Sequence, residues 1–276
     1  MTKREINIAH SPDSDDAFMF YALATNKVES ETLSFRHHLD DIETLNRQAK
    51  EGVWDVTAIS FHALPYISEH YALMPCGGSM GDGYGPIVVS SHNYSPSELR
   101  GKRIAVPGLM TSAYLTMKIY QPDFVPVVTR FDEIIDAVKQ GKVDGGLLIH
   151  EGQLTFGRDG LFRVIDLGKW WKDLYDLPLP LGGNAIRKQL RGPVGEEINR
   201  ALRQSVQYAL EHRSEAMSYA LQFARDMDSD LADRFVGMYV NDYTLDYGPK
   251  GREAIVKFLQ LGYEKGVITV EPKVEF

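Results

Sequence analysis

Four short apolar runs end on small or polar residues and lead into helix-periodic stretches: residues 6–11, 56–60, 103–106 and 143–150. The last, Val143-Asp-Gly-Gly-Leu-Leu-Ile-His150-Glu151, stops abruptly on a histidine and a glutamate. Ahead of it, Ile134, Ile135 and Val138 form one apolar helical face, and Gly141 is a natural terminator. The unit reads as helix, tight turn, buried strand. Strands that alternate with helices lie parallel, and ligands then sit outside their carboxyl ends. His150 closes its run with a side chain of the type that can titrate near neutral pH, which makes it the candidate chemical centre.

The remaining pattern extends this plan. Residues 12–16 turn into a helix through Phe18, Tyr21 and Leu23, with Asp13 or Ser14 as cap and Asp15 and Asp16 at its positive end. A second strand spans 33–39, and Asp40-Asp-Ile-Glu43 carries capping-box spacing before a helix closed near Gly52. The third strand leads to a helix with His62, Leu64 and Tyr66 that bends at Pro65. Residues 77–86 hold five glycines before Pro86 and read as a loop crossing between two domains. Strands are predicted at 87–90, 125–130 and 161–167, and a helix starts at Thr111-Ser112. Trp170-Trp171 and residues 177–184 read as the return crossover. Residues 194–266 are mostly helical, with one stripe of Ile198, Ala201, Leu202, Val206 and Leu210 and another of Ile255, Phe258, Leu259 and Tyr263.

Composition narrows the function. The chain has 276 residues, 43% hydrophobic and 25% charged, enough for two folded domains. A net charge of −8 argues against a nucleic-acid or anionic-membrane surface, so an anionic ligand has to be held locally. No run of about 20 apolar residues and no apolar leader core is present, which predicts a cytoplasmic location. The single cysteine, Cys76, excludes an internal disulfide.

Candidate chemistry concentrates at the strand ends. A histidine after Leu-Leu-Ile is also readable as a hydrogen-bonded core residue; its place at a strand end favours a role in a site. Glu151 follows on the opposite side of an extended chain, which suits it to a salt bridge or to solvent. A zinc-protease helix is excluded because residue 154 is leucine. Thr111 and Ser112 follow Val106-Pro-Gly108, where free N–H groups at a helix start suit a carboxylate or phosphate. Plain capping is compatible with that role. Ser11 beside Asp13, Asp15 and Asp16 would repel an anion and suits sugar or polyol hydroxyls, or simple capping. Gly77-Gly-Ser79-Met-Gly81 matches the hydrolase elbow in letters only, since Pro75 precedes it and more glycines follow. His37-His38 alternate across a strand and make a poor metal pair. Cys76 has no thiolate-stabilising context.

Taken together, these residues resemble the 1,4-dihydroxy-6-naphthoate synthase family of the futalosine route to menaquinone. The resemblance spans essentially the whole chain. It is carried by Ser11-Pro12 with Asp16-Ala-Phe18-Met-Phe-Tyr-Ala-Leu23, by Asp41-Ile-Glu-Thr-Leu-Asn46, by residues 77–86, and by Val106-Pro-Gly108 with Thr111-Ser-Ala-Tyr114. Ile149-His150-Glu151, Asp166-Leu-Gly-Lys-Trp-Trp171 and Leu177-Pro-Leu-Pro-Leu-Gly182 complete it. It implies an α/β fold like a type 2 periplasmic binding protein, with two lobes and a ligand cleft between them. Residues 1–86 and 185–276 would form the larger lobe and residues 87–184 the smaller, with 77–86 and 177–184 as hinges. The implied activity is a lyase step on cyclic dehypoxanthine futalosine, without metal or redox cofactor. His150 matches the family's proposed base. Ligand-binding positions fall on Ala58, Ile59 and Ser60 and on Ser112 and Ala113, beside Thr111, Ser11 and Asp16.

The implied partner is one small-molecule substrate, with no nucleic acid or membrane; the oligomeric state stays open. Two departures stand out. The family's opening usually reads Ser-Pro-Cys-Pro-Asn-Asp, against Ser11-Pro-Asp-Ser-Asp-Asp16 here. Some members carry lysine where this chain has Ala58, which either removes the substrate-carboxylate contact or shifts it to backbone donors near Ser112. The alternatives are a paralogue resembling chorismate dehydratase and a non-catalytic intracellular binding protein for a small carboxylate.

Overall fold

The computed structural model describes residues 2–224 and 228–276. The chain opens with β1 (Arg4–His10), α1 (Ser14–Ala24), β2 (Leu33–Leu39), α2 (Ile42–Lys50) and β3 (Val56–Ser60). A 3-10 turn and the short α3 (Leu64–Ile67) lead to β4 (Tyr71–Leu73) and β5 (Ser79–Gly81). The middle of the chain holds β6 (Ile87–Ser90), β7 (Arg103–Val106), α4 (Ser112–Tyr120), β8 (Val125–Val128) and α5 (Ile134–Lys139). It continues through β9 (Gly145–Leu148), α6 (Gly152–Thr155), β10 (Phe162–Asp166) and α7 (Leu167–Tyr175). After β11 (Leu179–Arg187) come α8 (Pro193–Glu211), α9 (Arg213–Ala220), α10 (Ser229–Tyr239), α11 (Asp242–Leu245) and α12 (Gly248–Glu264). The helical expectation for 194–266 also covers residues 225–227, which lie outside the described residues.

The strands form two sheets. The first runs β2-β1-β3-β11-β4, with β5 also paired to β11, and the second runs β10-β6-β9-β7-β8. β1, β2 and β3 are parallel, as are β7, β8 and β9. One strand in each sheet is reversed: β11 is antiparallel to β3, β4 and β5, and β6 to β9 and β10. These reversed strands stand where the chain passes between the sheets, after β5 and after α7.

Alternation along the second sheet explains its two cores. Val88, Ile104, Val106 and Leu147 face α4 residues Ala113 and Met117. Their neighbours Ile87, Val89, Ala105 and Leu148 face α5 residues Ile134 and Val138. Side chains at successive positions thus serve opposite layers. In the first sheet α1 is buried around nearly its whole circumference, since the sheet covers one side and α8, α9 and α10 the other. Each large apolar side chain buried there contributes about 1.5–3 kcal/mol. Cys76 lies in the same core, its thiol donating to the Asn199 carbonyl at 3.7 Å, and burial pushes its pKa up to about 12. Among the described residues, no helix is long and apolar enough to cross a membrane.

Several local expectations need correction. Residues 179–184, read as a loop of the return crossover, are the first part of β11, because β3, β4 and β5 supply hydrogen-bonding partners along it. A bulge between Pro180 and Gly182 accommodates the proline. This places the end of the segment 87–184 in the first sheet. Residues 79–81 of the glycine-rich stretch pair as β5, and β4 had no expectation at all. The cap of α2 is Asp41, which accepts the Thr44 N–H at 3.1 Å, rather than Asp40.

The first passage between the sheets is close-packed on the backbone at the start of α7. A Cβ at Gly168 would overlap the Tyr84 carbonyl, whereas one at Gly157 would meet nothing within 4 Å. Gly168→Ala is therefore expected to destabilise the fold by about 3 kcal/mol, the upper end for overpacking. Gly157→Ala should stay within about 0.5 kcal/mol. Urea unfolding of the two variants beside the parent checks this; equal midpoints would contradict the packing described for Gly168.

Candidate active site

A cavity opens where strand ends of the two sheets meet, the usual place for a ligand in α/β proteins. All nine residues singled out from the sequence line it. Ser11 and Asp16 come from the junction of β1 and α1, and Ala58, Ile59 and Ser60 from β3. Thr111, Ser112 and Ala113 come from the start of α4, and His150 from the turn after β9.

The α4 wall is built from donors. Thr111 caps the helix by accepting the Tyr114 N–H at 3.2 Å, and its hydroxyl donates to the Gly108 carbonyl at 2.9 Å. The N–H groups of Ser112 and Ala113 stand in the first turn, where no intrahelical acceptor exists. Ser112 Oγ accepts the His62 N–H at 3.4 Å, and His62 Nδ1 donates to the Thr111 carbonyl at 3.3 Å. Burial lowers the His62 pKa to about 4, so this brace is neutral at pH 7. Asn46 fixes the facing wall: its Oδ1 accepts the Ser60 N–H at 2.8 Å, and its Nδ2 donates to Ser60 Oγ at 3.0 Å.

His150 meets carboxylate chemistry on the α1 side. Its Nδ1 lies 3.3 Å from Asp13 Oδ2, with the two side chains 15% and 6% exposed. The Phe131 ring packs edge-on, centroid to centroid 4.4 Å. The His150 carbonyl accepts the Gln153 N–H at 2.9 Å, and Gln153 Nε2 donates to the Tyr239 hydroxyl at 2.6 Å. Asp13, His150 and Glu151 each bring one side-chain polar atom within 4.8 Å of the others. Asp13 Oδ2 also accepts the Ser11 hydroxyl.

The acidic corner is strained electrostatically. Burial raises the Asp16 pKa to about 7, the Ser11 N–H at 2.7 Å pulls it down, and the nearby Asp13 charge pushes it further up. Asp15 is raised well above the ordinary carboxylate range by burial first, then by Asp16 and Asp13. Across the cavity from these carboxylates stands the donor-rich start of α4.

Asp13 and Asp15, legible in the sequence only as anion-repelling neighbours, also line the cavity. Asn184 lines the cavity from β11, a segment whose proline and glycine content reads as loop. Phe235 and Tyr239 reach it from α10, and nothing local in that helix signals it. The only clue is an apolar face that also buries Ala232 and Val236.

The raised Asp15 pKa fixes a sign. Between about pH 4 and its native pKa the folded chain holds a proton that the unfolded chain has released, so stability falls as pH rises through that window. Asp15→Asn removes the penalty. Loss of the charge from the positive helix end costs about 0.3–1 kcal/mol. Asp15 keeps some contact with water, so the net gain is put at only about 1 kcal/mol at pH 8, shrinking toward zero near pH 4. Melting curves at both pH values test it; a variant less stable than the parent at pH 8 would refute the assignment.

The sequence matches the menaquinone biosynthesis family over residues 6–264. It is 38% identical over 268 residues to a 1,4-dihydroxy-6-naphthoate synthase of Thermus thermophilus, covering 97% of each chain. A solved structure of an Archaeoglobus fulgidus protein superposes with a TM-score of 0.92 at 47% identity, covering 96% of this chain and 98% of that one. A Candida albicans protein with the generic periplasmic binding protein fold superposes with a TM-score of 0.76 at 14% identity, covering 99% of this chain and 92% of that one, a likeness of fold alone. With its match running from β1 to the end of α12, the chain belongs to the menaquinone biosynthesis family.

Proposed function

We propose that this protein is a lyase that converts cyclic dehypoxanthine futalosine to 1,4-dihydroxy-6-naphthoate, with His150 as general base. The observation that carries the reading is the 38% identity to the Thermus thermophilus synthase across 97% of both chains, combined with an imidazole lining the cavity beside hydroxyl-rich and carboxylate walls. The substrate carboxylate goes to the N–H groups of Ser112 and Ala113, where the helix end favours negative charge. Ala58 and Ile59 supply an apolar surface there, and Ser60 a hydroxyl. The hydroxyl-bearing part goes to Ser11 and Asp16, because carboxyl groups bind hydroxyls and repel anions. A neutral imidazole then takes the proton that leaves the substrate. No step uses a metal or a redox cofactor.

Closure completes the site. The smaller lobe runs from residue 87 to the start of β11, and the passages around residues 82–86 and 176–178 act as hinges. Closing brings the β9 end and the α4 start against the α1 corner and excludes water from the reacting atoms.

The deciding experiment incubates purified protein with cyclic dehypoxanthine futalosine, and separately with chorismate, and follows products by mass. Naphthoate from the first alone is expected. His150→Asn should lower turnover by ~10²–10⁴-fold while melting temperature and ligand affinity stay close to the parent's. Near-normal turnover in the folded variant would remove His150 from the mechanism, and tight binding with no product from either compound would favour a binding protein.

A further inference from the structure

We propose that Asp13 is a positioning residue for His150: it holds the imidazole as the Nδ1–H tautomer and thereby leaves Nε2 as the nitrogen that accepts the proton. The proposal rests on the reading of His150 as the base. Three observations lead to it. The Nδ1–Oδ2 separation of 3.3 Å is an ion-pair contact, slightly longer than an ordinary N–H···O hydrogen bond. Such contacts tighten when the imidazole becomes charged in the reaction. Second, Asp13 is the N-cap of α1 yet makes no side-chain cap hydrogen bond. An N-cap aspartate ordinarily accepts a helix N–H, a contact whose loss costs about 1 kcal/mol. Here the carboxylate is turned away from that partner, toward His150. Third, the same Oδ2 accepts the Ser11 hydroxyl, and the Asp13 carbonyl accepts the Ala17 N–H at 2.9 Å, so the carboxylate is anchored at both ends of its residue.

The chemistry follows from the donor inventory. A carboxylate accepts and does not donate, so the ring nitrogen facing it must carry the proton. An unrestrained neutral imidazole is free to place its proton on either nitrogen, and only one tautomer presents a basic Nε2. When that lone pair takes the substrate proton, the ring becomes positively charged, and Asp13 lies beside it as the balancing negative charge. Asp13 stands at the start of α1 and His150 at the end of β9, so the pair forms only where elements on the two sheets come together. Base activation is thereby tied to the arrangement of the lobes.

The direct test is the ¹⁵N spectrum of ring-labelled full-length protein above the titration midpoint of His150, assigned by comparison with His150→Asn. Protonated Nδ1 and unprotonated Nε2 are expected. An unprotonated Nδ1 in the parent overturns the proposal. Asp13→Asn preserves size and capping ability but offers an amide donor toward the ring, so its spectrum should shift to the Nε2–H tautomer, and kcat should fall about 100-fold or more with KM changed less than about threefold. An Asp13→Asn protein with the parent's tautomer and kcat also overturns it. The tautomer measurement needs no turnover. If His150→Asn retains activity while the parent shows Nδ1–H, it is the general-base reading that has failed and the Asp13–His150 pairing stands.

Discussion

One fully buried amide, Asn46, joins the two halves of the site. Its contacts with the Ser60 N–H and hydroxyl are supplemented by a third, from Nδ2 to the Met110 carbonyl at 3.4 Å. It therefore links the end of β3 in the first sheet to the loop before α4 on the second. Glu43, one turn earlier on α2, accepts the Met110 N–H at 3.1 Å, and Gly108 has no Cβ where Glu43 lies against it. Leaving one such buried group without its partner costs about 1–3 kcal/mol. The spacing between Glu43 and Asn46 is one helical turn, which sets both side chains on the same face of α2. The sequence block Asp41-Ile-Glu-Thr-Leu-Asn46, which helps to carry the family resemblance, is thus a clasp between the end of β3 and the loop before α4.

What that clasp holds apart is as informative as what it joins. The start of α4 offers backbone donors at the positive end of a helix. The start of α1 offers the same dipole but loads it with Asp13, Asp15 and Asp16, so two helix ends facing one cavity have opposite preferences. A ligand with one anionic end and one hydroxylated end has a single favourable orientation between them. The elevated carboxyl pKa values show that this corner is built against the fold's own electrostatics, as functional corners often are.

Features set by near neighbours in the chain are legible in the sequence, and those set by distant pairings are not. The strand that ends at His150 and the hydroxyl cap at Thr111 depend on neighbours a few residues away, so periodicity and capping chemistry located them. β4, β5 and β11 depend on strands far along the chain. Pro180, Gly182 and Gly183 look like a linker until β3, β4 and β5 provide the partners that make the segment a strand. The Asp13–His150 contact has the same character: each residue is unremarkable in its own stretch, and only the folded arrangement puts them side by side. Phe235 and Tyr239 enter the cavity from a helix whose local pattern specifies burial without saying against what.

The lone thiol offers a way to watch the molecule breathe. Cys76 adjoins Gly77, whose positive φ begins the glycine-rich stretch, yet its sulfur lies in the core against α8 residue Asn199. A thiol so deeply covered and so weakly acidic is almost inert to alkylating reagents while the first sheet and its helices stay packed. Reaction requires that packing to separate. Cys76 is therefore an internal clock for opening of this core, built in without any engineered label, and its alkylation rate in native buffer measures how often the larger part of the molecule comes apart.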